Sequence, residues 1–205
     1  MVYKIKYILL GDIDVGKSTI IEKYMNNRFL QIYIPTIGLT FYVNQMNKYD
    51  MYIWDSGGQI QFKNIIAYYY QHSQGIIFVY NVNNRNSFYN IINWYKHMKK
   101  HIKSNENEYC MILVGNKNDI KYKRQVSYNE GKLLARDYNM LFIETNCKNG
   151  NIDIIFNKLN KQILDKINKK EIIIKYESSI NDTYTYTDYN NIFNYSEIFD
   201  GYNIL

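Results

Sequence analysis

Eight residues constrain this chain more than any other feature: Gly11-Asp12-Ile13-Asp14-Val15-Gly16-Lys17-Ser18, a G-x-x-x-x-G-K-S run. An apolar, strand-like stretch, Tyr3–Leu10, precedes it, and a helical stretch, Ser18–Asn26, follows. That order confirms a phosphate-cradling loop: the glycines let the backbone turn its N–H groups onto phosphate oxygens, and the helix start adds positive partial charge. Lys17 is then expected on the β- and γ-phosphates, with the Ser18 hydroxyl on Mg²⁺. The loop does not choose among nucleotides.

The rest of the chain repeats strand and helix in alternation. Phe41–Met46 and Met51–Trp54 read as strands joined by a polar turn at Asn47-Lys48. Gly75–Val82 and Tyr109–Gly115 are continuous apolar runs, suited to central strands covered on both faces. Between them, apolar residues at 88, 91, 92, 95, 98 and 102 keep helical spacing. Glu130–Tyr138 reads as a helix and Met140–Glu144 as a short strand. Ile152, Ile155, Phe156, Leu159, Ile163 and Ile167 stripe a last helix. The pattern predicts an α/β fold with a doubly wound, mostly parallel sheet.

Composition narrows the classes. The 205 residues hold two cysteines, which excludes a disulfide-built scaffold and a cysteine-rich zinc domain and fits a reducing, cytoplasmic setting. No apolar run approaches the roughly 18 residues of a membrane span. Lys and Arg number 25 against 19 Asp and Glu, for a net charge of +6. The segment from Glu171 onward carries −5, leaving +11 on the rest. The lysines are scattered, so the excess reads as a solvated surface around a polyphosphate site, with no nucleic-acid partner expected. The expected domains are residues 1–170, holding every motif, and residues 171–205, an acidic Tyr/Asn-rich tail expected to be disordered. The chain has 23 Tyr and is rich in Asn, Ile and Lys. Such bias cautions against reading function into any single surface Tyr or Asn.

The base is chosen by Asn116-Lys117-Asn118-Asp119, an N-K-x-D run at the end of the 109–115 strand, where open α/β sheets bind ligands. A carboxylate at Asp119 can accept from both N1–H and the 2-amino group of guanine. Adenine offers neither donor, so an adenine nucleotide would leave the charge unpaired. Asn116 is expected to brace the loop and the Lys117 stem to lie over the base.

With these motifs in order, the sequence resembles the Ras superfamily of small GTPases, and its Rab branch in particular, over about residues 3–168. The carriers are GDIDVGKST at 11–19, IPTIGLTF at 34–41, WDSGGQ at 54–59, NKND at 116–119 and ETNCK at 144–148. The resemblance implies a P-loop NTPase fold, a six-stranded sheet with five flanking helices, and a GTP/GDP switch with Mg²⁺. It implies nucleotide contacts from Asp12, Ile13, Asp14, Val15, Gly16, Lys17, Ser18 and Thr19. Phe29 would cap the guanine, Thr36 and Gly58 would sense the γ-phosphate, and Asn116, Lys117, Asp119, Cys147 and Lys148 would hold the base. Metal ligation would fall to Ser18, Thr36 and Asp55, and catalysis to Gln59, Lys17 and Thr36, with Gln59 positioning the attacking water. Effectors, exchange factors and GTPase-activating proteins would engage Thr36–Phe41 and Gly57–Tyr70. Phe41, Trp54 and Tyr69 match an effector-facing aromatic triad, against the plainer expectation of core packing.

Several residues depart from the family pattern. Ile13 stands where Ras proteins carry Gly and Rab proteins usually Ser, facing the γ-phosphate. Its β-branched side chain has few rotamers with which to step aside. Asp14 adds negative charge near the phosphates. Gly57 replaces Ala, Ile60 replaces Glu, and Asn146 replaces Ser. The expected activity is therefore slow or partner-dependent GTP hydrolysis in vesicle or membrane trafficking; the alternative is a hydrolysis-deficient GTP-binding scaffold. A P-loop kinase or ATPase is disfavoured by the guanine-type motif. No Cys follows Cys147 and residue 2 is Val, so no direct lipid anchor is expected. The expectation is a cytoplasmic monomer, recruited to endomembranes by a protein partner.

Overall fold

The computed structural model describes residues 3–29, 35–103 and 105–172. The expected tail, apart from Glu171 and Ile172, and Ile34 of the IPTIGLTF run lie outside the described residues. Six strands are present: β1 (Tyr3–Leu10), β2 (Leu39–Gln45), β3 (Tyr49–Ser56), β4 (Gly75–Asn81), β5 (Cys110–Asn116) and β6 (Leu141–Glu144). They form one sheet in the order β2-β3-β1-β4-β5-β6. Only β2 runs antiparallel, paired with β3 through a tight turn in which Met46 N–H donates to the Tyr49 carbonyl (3.1 Å). Every other pairing is parallel.

Among the described residues there are five α-helices: α1 (Lys17–Asn26), α2 (Lys63–Tyr69), α3 (Arg85–His101), α4 (Tyr128–Asp137) and α5 (Asp153–Asn168). The doubly wound sheet with five helices is thus as expected. Strand β1 shows why both faces are covered. Ile5, Tyr7 and Leu9 join a core with Ile20 and Ile21 of α1 and Phe156, Leu159 and Ile163 of α5. The intervening Ile8 and Leu10 point to the opposite face by strand alternation and are equally buried. Ile172 is buried against the α1/α5 core, two residues past the boundary expected at 170.

Local signals set the helix starts. In α3 the Asn84 side chain accepts from Ser87 N–H (3.2 Å). In α4 Ser127 and Glu130 form a reciprocal capping box. Because β1, β3, β4, β5 and β6 are parallel, their carboxyl ends lie along one edge of the sheet. The loops that follow them, including 11–16, 57–59, 117–119 and 145–148, therefore share that edge.

Candidate nucleotide site

The 11–16 loop leaves buried β1 and enters α1 through Gly16, whose φ of 96° lies in the region that favours glycine. A Cβ there would also lie 2.3 Å from Asn116 Nδ2. That amide nitrogen instead donates to the Val15 carbonyl (2.9 Å), so Asn116 braces the phosphate loop from β5. Val15 is buried in the core below. Lys17 is nearly fully buried, and its Nζ donates to the carbonyls of Gly11 (2.9 Å) and Asp12 (2.8 Å). Burial lowers its pKa to about 8, opposed by the nearby carboxylates of Asp55 and Asp12. The loop thus curls around a cation.

The Asp12 carboxylate is engaged with α3. It accepts from Trp94 Nε1 (2.8 Å) and Asn90 Nδ2 (2.7 Å), while Lys63 Nζ sits 4.4 Å from the Trp94 ring centroid. Sequence reasoning placed Trp94 off its apolar stripe and missed both partners; an Asn in an Asn-rich helix carries no signal of its own.

Three oxygen groups meet above α1. Ser18 Oγ lies 2.8 Å from Thr36 Oγ1 and donates to Asp55 Oδ2 at 2.5 Å; Thr36 Oγ1 donates to the same oxygen at 3.1 Å. The other carboxylate oxygen, Asp55 Oδ1, is buried without a hydrogen-bond partner. Burial raises the Asp55 pKa, opposed by the Ser18 and Thr36 hydroxyls and by Lys17. A buried, half-satisfied carboxylate among hydroxyls is a hard-oxygen donor set that fits Mg²⁺. Ser18, Thr36 and Asp55 would hold it together with phosphate oxygens.

The segments carrying Thr36 and Gln59 touch each other. Gly57 N–H donates to the Gly38 carbonyl (2.7 Å), and a Cβ on Gly57 would lie 2.6 Å from the Thr36 carbonyl oxygen. The glycine that stands here in place of the family's Ala is what permits the close approach. Gly58 lies directly against the backbone of Asp12 and Ile13. Gln59 is half-buried, its Oε1 accepting from Gln61 Nε2 (3.0 Å).

A cleft of about 300 Å³ runs along this edge. Ile13, Lys17, Ser18, Thr36 and Gly58 line one end, and Phe29, Lys117, Asp119, Cys147 and Lys148 the other; Asp14, Gly16, Thr19 and Asn116 also contribute. The structure therefore brings most of the expected phosphate-end and base-end residues to one cleft; Asp12, Val15 and Asp55 are not among its lining, with the Asp12 carboxylate turned to α3 and Val15 in the core. Ile13 is 47% exposed and Phe29 45% exposed, both available to a ligand. Cys147 is buried, its thiol pushed up to about 11 by burial and held near Asn116 Oδ1 (3.8 Å).

The base end is tied together by side chains whose partners are not legible in the sequence, where Asn146 stands only as a replacement for Ser. Asn83 Nδ2 donates to the Lys117 carbonyl (2.8 Å), and Asn146 Nδ2 donates to Asn118 Oδ1 (2.9 Å).

On the antiparallel flank of the sheet, the Phe41, Trp54 and Tyr69 rings pack in a row, tilted to one another by 36° and 49°, with centroids 4.6 Å apart at each step. Trp54 is buried and Phe41 is 41% exposed, so the row both packs and presents a face.

The family model described as Ras family matches residues 6–165. The Ras-related protein Rab-8 of Diplobatis ommata is 36% identical over 173 residues, spanning 82% of this chain and 81% of the relative. The Ras-related protein Rab-8B of Homo sapiens is likewise 36% identical over 173 residues, spanning 82% of each. Among the described residues no helix is long and apolar enough to cross a membrane.

Proposed function

The chain belongs to the Ras family of small GTPases, in its Rab branch, and we propose that it is a guanine-nucleotide switch in membrane trafficking whose own hydrolysis is slow and depends on a partner. The observation that carries this reading is the convergence of Lys17, Ser18, Thr36 and Asp55 at one end of a cleft with Asp119 at the other.

Each residue has a derivable task. Lys17 exchanges its two loop carbonyls for phosphate oxygens, and the anionic ligand keeps it charged. Mg²⁺, when bound, neutralises phosphate charge. Ser18 and Thr36 orient toward it, and Asp55 supplies the anionic side of the site. Thr36 and Gly58 lie on two segments already linked through Gly57 and Gly38. Contacts to a γ-phosphate hold the two together, and its loss releases both. Gln59 can both donate to and accept from an attacking water. Asp119, Lys117, Phe29 and the Cys147 backbone hold the guanine.

Ile13 argues for slowness. It stands exposed at the cleft, where an incoming arginine of an activating protein must reach the γ-phosphate. That arginine is worth roughly 10³–10⁵ in rate. The same residue favours the second reading, a GTP-binding scaffold with negligible turnover. Partners would engage Thr36–Phe41 and Gly57–Tyr70, where the aromatic row offers a partly exposed face. The domain reading places all nucleotide chemistry in residues 1–170.

Nucleotide competition and single-turnover hydrolysis of the purified protein test this reading. GTP is expected to displace bound GDP where ATP does not, with a slow but measurable burst of phosphate. Equal binding of ATP and GTP overturns it, and GTP binding without any phosphate release selects the scaffold.

A further inference from the structure

Two asparagines outside the nucleotide cleft hold its base end in register. Asn146 is 8% exposed. Its Oδ1 accepts from three successive backbone amides, those of Lys148 (3.1 Å), Asn149 (2.9 Å) and Gly150 (3.2 Å). Its Nδ2 donates to Asn118 Oδ1 (2.9 Å). One amide thus fixes the shape of the loop carrying Cys147 and Lys148, and joins that loop to the one carrying Lys117 and Asp119. The junction is also crossed by two backbone bonds, Asn118 N–H to the Thr145 carbonyl (3.2 Å) and Thr145 N–H to the Gly115 carbonyl (2.9 Å), and by the Cys147 thiol near Asn116 Oδ1 (3.8 Å); of these ties, the Asn146 amide alone reaches the Asn118 side chain.

Neither asparagine lines the nucleotide cleft. Both line an open hollow of about 650 Å³ beside it, and Asp119 lines both spaces. Asp119 is exposed, and the loop behind it is where its aim is decided. Asn118 fills the variable place of N-K-x-D, and Asn146 stands where Ser is usual. A serine hydroxyl at 146 sits one bond nearer the backbone than the Asn146 Nδ2 that donates to Asn118, and so falls short of the carboxamide's reach.

We propose that the Asn118–Asn146 pair is a clamp that aims Asp119, and so sets how strongly the protein distinguishes guanine from a base lacking the 2-amino group. The proposal rests on the guanine-nucleotide reading above. Both residues are positioning residues, acting through Asp119. The physical link is angular: a carboxylate that must accept from two donors at once is sensitive to small rotations of its loop, whereas one donor tolerates them.

The test is competition of GDP and IDP against a fluorescent guanine nucleotide, for the wild type, Asn118→Ala, Asn146→Ala and Asn146→Ser in the full chain. IDP lacks the 2-amino group and needs only one oxygen of Asp119. Asn118→Ala leaves the three-amide cap intact, so it carries the test even if Asn146→Ala does not fold. The expected result is that Asn118→Ala and Asn146→Ser each lower the GDP/IDP preference about three- to tenfold, with GDP weakened more than IDP. Combining Asn118→Ala with Asn146→Ser should cost no more than either alone, since both break one bond. GDP and IDP weakened equally, or neither weakened, overturns the clamp while leaving the nucleotide reading intact. Wild-type protein that binds ADP as well as GDP overturns the reading and the clamp together.

Discussion

Lys117 Nζ lies 2.9 Å from Asp14 Oδ1, joining the base loop to the phosphate loop across the cleft. Asp14 holds a left-handed φ of 57° and Lys117 one of 64°, so both loops turn sharply where they meet. The negative charge that Asp14 adds near the phosphates is paired in the structure. The pair is partly exposed, 29% at Lys117 and 64% at Asp14, and its own worth is at most about 1 kcal/mol. Its consequence appears when the cation is removed. Lys117→Met should speed GDP release more in the wild-type background than in Asp14→Ser, where no carboxylate is left unpaired near the phosphates. The expected coupling is about 0.5–1 kcal/mol and shrinks at high salt. Equal acceleration in both backgrounds, measured by stopped-flow release of a fluorescent GDP, would show that the two side chains act independently.

Guanine selectivity should travel with Asp119. A carboxylate accepting from two guanine donors contributes charge-assisted bonds worth roughly 1.5–3 kcal/mol each. Asp119→Asn presents an amide that pairs with a 2-oxo purine instead. GTP affinity should fall by about tenfold or more and xanthosine triphosphate affinity should rise. Competition binding at fixed Mg²⁺ reads both changes. A variant that loses affinity for both nucleotides alike would mean that Asp119 acts on loop shape alone.

Ile13 should limit the response to an activating protein. Replacing its exposed β-branched side chain by Ser opens the approach to the γ-phosphate without touching the core. Ile13→Ser is expected to raise partner-stimulated turnover by about tenfold or more. Gln59→Leu should lower whatever remains, because an alkyl group cannot orient water. Identical stimulation of wild type and Ile13→Ser by the same activating protein would remove the steric explanation.

A pH response should come from the contact between α2 and α3. The Tyr70 hydroxyl and His97 Nδ1 are 2.8 Å apart, and the His97 and His101 rings lie 4.4 Å apart. Burial lowers the His97 pKa, helped by the charges of His101, Lys63 and Lys100. Below the ordinary histidine value of about 6.5 the unfolded chain therefore binds more protons than the folded one. Stability contributed by neutral His97 is fully present above that value and is lost as pH falls from it through the lower folded-state value. Urea midpoints measured from pH 7.5 to 5.5 should fall more steeply for wild type than for His97→Gln, which keeps a hydrogen-bonding side chain toward Tyr70. Parallel profiles would place the pH dependence elsewhere.

What the sequence made legible follows from the range of the interactions. The phosphate loop could be read because its glycines and Lys17 answer to local backbone demands. The central strands β4 and β5 could be read because burial on both faces leaves an unbroken apolar run. Helix α2 could not be read from its own residues: at seven residues it is too short to show a period, and its place came only with the family resemblance. Helix α3 begins at Arg85, before its apolar stripe, because Asn84 caps it. The ties from Asp12 to Trp94 and from Asn118 to Asn146 span 82 and 28 residues. In an Asn-rich chain, nothing local marks the members of such pairs.

Nucleotide binding should take up a proton at alkaline pH, because of Lys17. In the free protein its ammonium is buried against two backbone carbonyls, with a pKa of about 8. Phosphate oxygens supply the negative charge that restores the protonated form, so the bound pKa lies higher. The sign follows: between the two values the free protein carries fewer protons than the complex, and binding draws one from the buffer. The uptake from Lys17 should be larger at pH 9, above the free-state value, than at pH 7, below it. Asp55 works in the opposite sense at acid pH. Its raised pKa means that a bound Mg²⁺ expels a proton there. Titration calorimetry of GDP binding in two buffers of different ionisation enthalpy should show a clearly larger buffer dependence at pH 8.5 than at pH 7. Buffer-independent enthalpies at pH 8.5 would mean that Lys17 is fully charged before the nucleotide arrives, and that the loop carbonyls alone sustain its charge.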